Sequence, residues 1–242
     1  MTQDEAPPTD SWDDIAEWWS AEATDDPVYA ADVHPLYREL TSDLSGVIAD
    51  LGCGTGQAMG MTGPQTIGVD LSMDLLAHAS SVGPTVRARL PSLACFVNDA
   101  FDHAASIYLL DLIQDDATFF SETARAVRKG GSLVVVMNHP VFLAPGSGPF
   151  ADPDKEVFWR WGSYFDIGSS HEPAGHRKIE FFHRPLDVLL NNASAAGWSL
   201  DLMRERPLSP QILDAYPEFL GQDTIPRLLG LRWTNILMTD DR

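Results

Sequence analysis

One stretch near residue 50 constrains the fold of this chain more strongly than any other part of it. Residues 47–49 form an apolar run that ends at Asp50, which is typical of a strand buried on both faces of a parallel sheet. Gly52, Gly54 and Gly56 then follow at every second position. Glycine is needed where the backbone turns sharply or approaches a ligand closely, because a side chain would clash there. The stretch therefore predicts a strand followed by a glycine loop.

A second strand is predicted shortly after this loop. Residues 66–69 have a strand-like composition and are followed by Asp70. Ligands of open α/β sheets bind outside the carboxyl ends of the strands. We therefore expect Asp50, Asp70 and the glycine loop to meet at one ligand-binding crevice.

The glycine spacing separates two classes of nucleotide cofactor. A dinucleotide-binding loop follows the pattern G-x-G-x-x-G, whereas here the third glycine comes one residue early and Gln57 stands in its place. The segment D-L-G-C-G-T-G at residues 50–56, with G-V-D-L-S at residues 68–72, resembles the class I S-adenosylmethionine (SAM)-dependent methyltransferases of the small-molecule type. The resemblance extends over residues 47–238.

The resemblance implies a SAM site, with S-adenosylhomocysteine as the product. In the family, the first acid and the loop hold the methionine part of SAM, and the second acid accepts hydrogen bonds from the ribose hydroxyls. An acid that binds adenine in many members is missing, because Arg89 and Leu90 stand there instead. The predicted cofactor-binding residues are Asp50, Leu51, Gly52, Cys53, Gly54, Gly56, Asp70, Leu71, Ser72, Arg89, Leu90, Ser106 and Ile107.

The fold implied by the resemblance is a Rossmann-like α/β fold, with seven mostly parallel strands flanked by helices. The last strand is expected to be antiparallel and to lie at the sheet edge. A helix is predicted from Asp115 to the basic residues before Gly130 and Gly131, since acids suit a helix start and bases a helix end. The other strands are predicted at residues 85–88, from 101, and at 132–137, 198–203 and 231–238.

The length of 242 residues suits one α/β domain with additions. We predict a flexible tail at residues 1–10 and a methyltransferase domain at residues 11–242. Within this domain, residues 11–45 are expected to form a helical lid, and residues 141–183 an insert after the fifth strand.

The acceptor site is predicted to lie between the lid and the insert. Long structured connections in compact domains are usually functional, and this insert is rich in aromatic residues. Ser11 is the expected cap of the first lid helix. The lid candidates are Trp18, Trp19 and Tyr29, and the wall candidates are Trp159, Trp161, Tyr164 and Phe165. For the lid residues, ordinary core packing is the open alternative.

The charge and composition exclude several classes of partner. The net charge of −19 repels phosphate backbones, so a nucleic-acid substrate is not expected. The chain has no membrane-length apolar run, no signal peptide and only two cysteines, so we predict a cytoplasmic monomer or homodimer without a disulfide framework.

A general base would help an oxygen or nitrogen acceptor to lose its proton. His139 is the first candidate, because it follows the fifth strand and histidine titrates near neutrality. Tyr164 and His183 are further candidates. A histidine that bonds only to the backbone is the open alternative for His139. The histidines show no tight ligand spacing, so no metal site is predicted.

Two functions remain open at this point. The first is transfer of a methyl group from SAM to an oxygen, nitrogen or carbon atom of a small organic acceptor. The second is SAM binding without methyl transfer, by a sensor or by an enzyme that uses SAM in another way.

Overall fold

The computed structural model describes residues 12–63 and 65–237. The predicted tail, the proposed cap Ser11 and the end of the last predicted strand at Met238 lie outside these ranges. The helices are α1 Ala16–Asp25, α2 His34–Thr41, α3 Met59–Thr62, α4 Met73–Ala79, α5 Asp116–Ala126, α6 Pro140–Leu143, α7 Leu186–Ala195 and α8 Pro210–Ala215. The strands are β1 Ile48–Leu51, β2 Thr66–Asp70, β3 Thr85–Arg87, β4 Phe101–Ile107, β5 Val127–Asn138, β6 Gly148–Ala151, β7 Val157–Arg160, β8 Gly168–Ala174, β9 Arg177–His183, β10 Trp198–Arg206 and β11 Leu228–Asn235.

The main sheet has seven strands in the order β10-β11-β5-β4-β1-β2-β3. Strands β1 to β5 pair in parallel, and β10 and β11 are antiparallel. The predicted Rossmann-like sheet is confirmed. The prediction that the last strand lies at the edge is wrong, because β11 lies between β5 and β10. Most residues of β11 are buried, whereas β10 is largely exposed, so burial favours the inner position for β11.

The core lies on both faces of the sheet, as the alternation of β5 shows. Leu133, Val135 and Met137 pack into one cluster, which includes aromatic residues of α5. Val134 and Val136 face the opposite cluster, which includes apolar residues of α2. A strand buried on both faces needs the continuous apolar run that predicted β5.

The boundary between α5 and β5 differs from the prediction. The helix ends at Ala126, and the following basic residues and glycines belong to an irregular start of β5. Arg128 forms an ion pair with Asp102 at 2.7 Å across this irregularity. A Cβ atom on Gly131 would lie 2.1 Å from the carbonyl oxygen of Asp102, so close strand approach accounts for this glycine.

Two irregular regions flank the sheet on the side of its carboxyl ends. Before β1, a 3₁₀ turn at Asp13–Ile15 leads into α1, and a π-helical turn at Tyr29–Val33 leads into α2. After β5, the insert contains α6 and two hairpins, β6–β7 and β8–β9. None of the helices in the described ranges is both long and apolar enough to cross a lipid bilayer.

Candidate functional site

A cavity of about 490 Å³ opens at the carboxyl ends of β1, β2 and β4. Its inner wall is formed by the glycine loop after β1, the end of β2 and the loop after β4. The residues on this wall include Gly52, Gly54, Asp70, Leu71, Ile107 and Tyr108. The volume lies in the range of small-molecule binding sites.

The glycine loop is held against β2 by its own backbone. The N–H groups of Gly52 and Cys53 donate to the carbonyl oxygen of Val69 at 2.7 and 3.1 Å. Gly52 has a φ of +71°, and a Cβ atom there would lie 2.9 Å from a methyl carbon of Leu109. Only glycine meets both conditions without strain, so the loop can pass close to the cavity.

Asp70 organises the rim of the cavity. One carboxylate oxygen accepts from the Gly54 N–H at 2.9 Å, and the other accepts from the Ser72 N–H at 2.9 Å. Burial raises the pKa of Asp70, while these backbone donors act in the opposite direction. The side chain of Ser72 in turn caps α4 by accepting from the Leu75 N–H. The loop, the acid and the helix therefore form one rigid unit.

Asp50 is buried next to this unit and fits a cationic ligand group. It is 2% exposed, and its Oδ2 atom has no hydrogen-bond partner among residues 12–63 and 65–237. Burial, with a further contribution from Asp70, raises the pKa of Asp50 to about 7. A buried carboxylate oxygen without a donor is costly, and an ammonium group would supply the missing donor. SAM carries such a group on its methionine part.

The structure brings most of the predicted cofactor-binding residues to one place. Seven of them line the cavity: Gly52, Gly54, Asp70, Leu71, Arg89, Leu90 and Ile107. The others lie beside it without forming its wall: Asp50, Leu51, Cys53, Gly56, Ser72 and Ser106. Ser106 is fully buried, and its hydroxyl finds no hydrogen-bond partner in the part of the chain that the structure describes. Contact with SAM stays a prediction for all of them.

The N-terminal segment covers the cavity. Trp12 and Trp19 line it, with ring centroids 5.5 Å apart in an edge-to-face arrangement. Asp13 attaches this segment to the rim, because it accepts from the Ser72 hydroxyl at 2.5 Å. Trp18 packs in a cluster with apolar residues of β9 and is not part of the wall.

Tyr29, the third lid candidate, lies away from the cavity mouth. Its ring is 5.9 Å from the ring of Tyr108 and 4.8 Å from that of His34. Tyr29 is also close enough to Asp50 for that acid to contribute to its raised pKa. Its position is that of a packing residue beneath the cavity.

The insert contributes to the cavity through β9 rather than through its most aromatic stretch. Glu180 and Phe182 line the wall. The four predicted rings, Trp159, Trp161, Tyr164 and Phe165, do not line it. Trp159 stacks on Phe142 with centroids 5.1 Å apart, and Phe165 is 87% exposed.

His139 lies outside the cavity wall and has partners at both ring nitrogens. Nδ1 accepts from the Val141 N–H at 3.1 Å, which caps α6, and Nε2 lies 2.9 Å from the Glu205 carboxylate. The ring is 2% exposed, and burial lowers its pKa. This geometry favours a structural role, and the proposed role as a base stays a prediction.

Tyr164 and His183 belong to the packing of the insert. The Nε2 atom of His183 lies 2.8 Å from the Tyr164 carbonyl oxygen, and the Tyr164 hydroxyl accepts from the Leu186 N–H at 3.1 Å. Burial lowers the pKa of His183. Neither residue lines the cavity, so their positions do not favour the predicted catalytic roles.

A buried polar cluster below the cavity was not anticipated from the sequence. Tyr108 lines the cavity with a φ of +57°, a left-handed conformation that aromatic residues rarely adopt. Arg227 interacts with its hydroxyl and also contacts Asn138. Asp111 accepts from the Asn138 side chain at 2.7 Å, and burial raises its pKa to about 6.

The cavity residues without a predicted role include Trp12, Tyr108, Glu180 and Phe182. Trp12, Ile15, Trp18 and Trp19 are apolar residues at helical spacing after Ser11, and this spacing was the available signal for Trp12. Tyr108, Glu180 and Phe182 carry no motif, since their approach to the glycine loop depends on chain segments far away in sequence. No group of three or more His, Cys, Asp or Glu side chains in residues 12–63 and 65–237 is placed to hold a metal ion.

Comparison with known proteins matches the segment that forms the inner wall of this cavity. The family model described as a methyltransferase domain matches residues 49–135, from β1 into β5. The chain is 25% identical over 195 residues to an uncharacterized protein from Haemophilus influenzae, covering 73% of this chain and 77% of that protein. It is 28% identical over 122 residues to a phosphatidylethanolamine N-methyltransferase from Cereibacter sphaeroides, covering 46% of this chain and 58% of that enzyme.

The fold has a solved counterpart over most of its length. The crystal structure of a SAM-dependent methyltransferase from Mesorhizobium loti superposes with a TM-score of 0.70 at 27% identity. The match covers 83% of this chain and 96% of that chain. A match of this extent reaches well beyond the glycine loop.

Proposed function

Since this chain belongs to the class I SAM-dependent methyltransferases, we propose that it methylates a small organic acceptor bound in the cavity described above. The observation that carries the proposal is the makeup of one cavity wall. The glycine loop and Asp70 line the cavity together with Trp19 of the lid and Glu180 of the insert. A cofactor and an acceptor bound there would share one space.

The residues present fit SAM at the inner side of the cavity. SAM supplies an activated methyl group, so the protein has to bind and align the two reactants. Asp50 would bind the ammonium group of the methionine part, and Asp70 would accept from the ribose hydroxyls. Leu71 and Leu90 are apolar neighbours for the adenine ring, in place of the missing acid.

The lid residues support the proposal because Trp12 and Trp19 line the cavity, where they would exclude water from bound reactants. Asp13 is bound to Ser72 at the cofactor rim, and Asp14 forms an ion pair with Arg177 of the insert. The N-terminal segment thus connects the cofactor rim with the insert. Exclusion of water strengthens the electrostatic interactions on which methyl transfer depends.

The proposal is tested by incubating the purified protein with SAM and a small-molecule extract. We expect release of S-adenosylhomocysteine together with a product that is heavier by one methylene unit, measured by mass spectrometry. Omission of the extract is the control. SAM binding in calorimetry without any methylated product, over a range of extracts, would favour the alternative of SAM binding without methyl transfer.

Asp50 should make SAM binding depend on pH. Its raised pKa of about 7 means that the free protein holds a proton there at pH 6, and binding an ammonium group requires that proton to leave. We expect SAM affinity to rise roughly fivefold between pH 6 and pH 7, because the ionised fraction of a group with this pKa rises by about that factor. Calorimetry in buffers of different ionisation enthalpy should detect proton release. An Asp50→Asn protein that keeps the same pH dependence would contradict this role.

Trp19 and Trp161 form a matched pair for testing the lid. Trp19 lines the cavity, whereas Trp161 is 56% exposed and lies in the insert. We expect Trp19→Ala to raise the KM for the acceptor about tenfold, through loss of aromatic contact area. Trp161→Ala should change it less than about twofold, because a surface ring contributes little. Equal effects of the two substitutions on the KM would contradict the assignment of Trp19 to the acceptor site.

A further inference from the structure

We propose that the acceptor carries a positively charged nitrogen, bound by the Glu180 carboxylate within a group of aromatic rings. This inference rests on the proposed function and names the chemical class of its substrate. The rings are those of Trp12, Trp19 and Phe182, which line the same cavity as Glu180. We refer to these four residues as the amine pocket.

Alternation along β9 places Glu180 in the cavity. Ile179 and Phe181 pack in a cluster that also contains Trp18 of the lid. Glu180 and Phe182 line the cavity instead. Successive side chains of a strand point to opposite faces, so the packing of one pair holds the other pair in the wall.

The charge of Glu180 is available to a ligand. Within residues 12–63 and 65–237, no basic side chain forms an ion pair with it, and Arg177 on the same strand pairs with Asp14. The Ser169 hydroxyl donates to Glu180 Oε1 at 2.6 Å. This neutral donor orients the carboxylate without neutralising it, which leaves one oxygen for a charged partner.

The surrounding rings favour a cation over a neutral or anionic group. Trp12 and Trp19 present an edge-to-face pair, with centroids 5.5 Å apart. Ring faces attract cations, and the attraction increases where water is excluded. Among the described residues of the wall, three are acidic (Asp70, Asp115 and Glu180) and one is basic (Arg89). An anionic acceptor would meet repulsion from this wall.

The reaction balances for such an acceptor. The ammonium nitrogen gives one proton to the Glu180 carboxylate, which is half-buried and passes it to water. The nitrogen lone pair then forms a bond to the methyl carbon, and the electron pair of the methyl carbon–sulfur bond moves to sulfur. The products are an N-methylated ammonium group, neutral S-adenosylhomocysteine and one proton.

Binding of three matched probes tests the charge preference. Phenethylamine, phenethyl alcohol and phenylacetate share one ring and differ in charge. With S-adenosylhomocysteine bound, we expect calorimetry to show the amine binding at least about tenfold more tightly than the alcohol, with the anion weakest, as a charged hydrogen bond predicts. Equal binding of amine and alcohol, tighter binding of the anion, or no binding of the amine would overturn the proposal.

Variants of Glu180 test the residue itself. Glu180→Gln should weaken amine binding roughly 10- to 100-fold, and Glu180→Asp should restore part of it, because it keeps the charge. Glu172→Gln is the control on the same hairpin, since Glu172 is exposed and does not line the cavity. Unchanged amine binding by Glu180→Gln would overturn the assignment.

The same measurements separate this proposal from the proposed function. The affinity for S-adenosylhomocysteine should be unchanged in Glu180→Gln, and so should the affinity for SAM. A loss of SAM affinity alone would assign Glu180 to the positive sulfonium and overturn the amine pocket. Failure of the wild-type protein to bind either cofactor would instead refute the proposed function. Methylation of neutral acceptors only would refute the amine pocket while leaving methyl transfer intact.

Discussion

Asp70→Ala is expected to weaken SAM binding by on the order of 100-fold. The substitution removes the predicted charged acceptor of two ribose hydroxyls. It also leaves the N–H groups of Gly54 and Ser72 without their acceptor, so the glycine loop loses its support. Asp70→Asn keeps one acceptor oxygen and should show an intermediate loss. Calorimetry with SAM measures both effects.

Asp74→Ala is the matched control for this experiment. Asp74 lies in the first turn of α4, is exposed and is not part of the cavity wall. We expect its SAM affinity to stay within about twofold of wild type, as for most surface substitutions. NAD should bind the wild-type protein much more weakly than SAM. An Asp70→Ala protein that is well folded and binds SAM normally would contradict the ribose role.

Arg227→Leu is expected to lower the free energy of unfolding by about 3 kcal/mol, which is typical when one partner of a buried charged network is removed. Arg227 donates to Gln222 at 3.0 Å and to Asn138, and its guanidinium lies 3.6 Å from the centre of the Phe142 ring. It also interacts with Tyr108 in the cavity wall. Its loss should therefore reduce both stability and turnover. Denaturant unfolding measures the first effect.

The loss of stability in Arg227→Leu should grow as pH rises. Burial raises the pKa of Asp111 to about 6, and Arg227 acts against that rise. When the pKa of an acid is higher in the folded state than in the unfolded state, the acid stabilises the folded state at pH values below its unfolded pKa. This contribution to stability is lost as pH rises through the folded-state pKa. Without Arg227, ionised Asp111 is less compensated, so the difference from wild type should be larger at pH 8 than at pH 5.

Arg206→Leu controls for the removal of a surface charge. Arg206 is exposed on β10 and pairs with Glu39 at 3.2 Å. A surface pair of this kind contributes at most about 1 kcal/mol. Equal destabilisation by Arg206→Leu and Arg227→Leu, or a pH-independent difference for Arg227→Leu, would show that the buried cluster does not stabilise the fold as argued.

Local signals explain how much of the fold could be predicted. Residues 48–79 contain β1, the glycine loop, β2 and α4 within 32 residues of chain. Their order follows from apolar runs, from glycines and from the side chain of Ser72, which caps α4. The end of α5 was predicted too late, because Gly131 resembles a helix stop. Its real cause is a close contact with Asp102 in a neighbouring strand.

The predicted cofactor side of the site could also be located from the sequence, because its signals are local. Short connections along the chain join Asp50, the glycine loop and Asp70. Ligands of such sheets bind at the carboxyl ends of the strands, where all three lie. Their positions relative to each other are therefore determined by local geometry and parallel pairing. The cavity that the structure shows contains the loop and Asp70, with Asp50 directly beside it.

Tertiary structure alone decided which part of the insert lines the cavity. Trp159, Trp161, Tyr164 and Phe165 were the predicted acceptor wall, whereas Glu180 and Phe182 of β9 line the cavity instead. His139 follows β5 as expected, but its ring contacts Glu205 on β10 and does not line the cavity. Which side chains face a cavity depends on strand register and on packing between segments distant in sequence. No local pattern in the chain encodes that choice, because alternating faces of a strand are equivalent until another element packs against one of them.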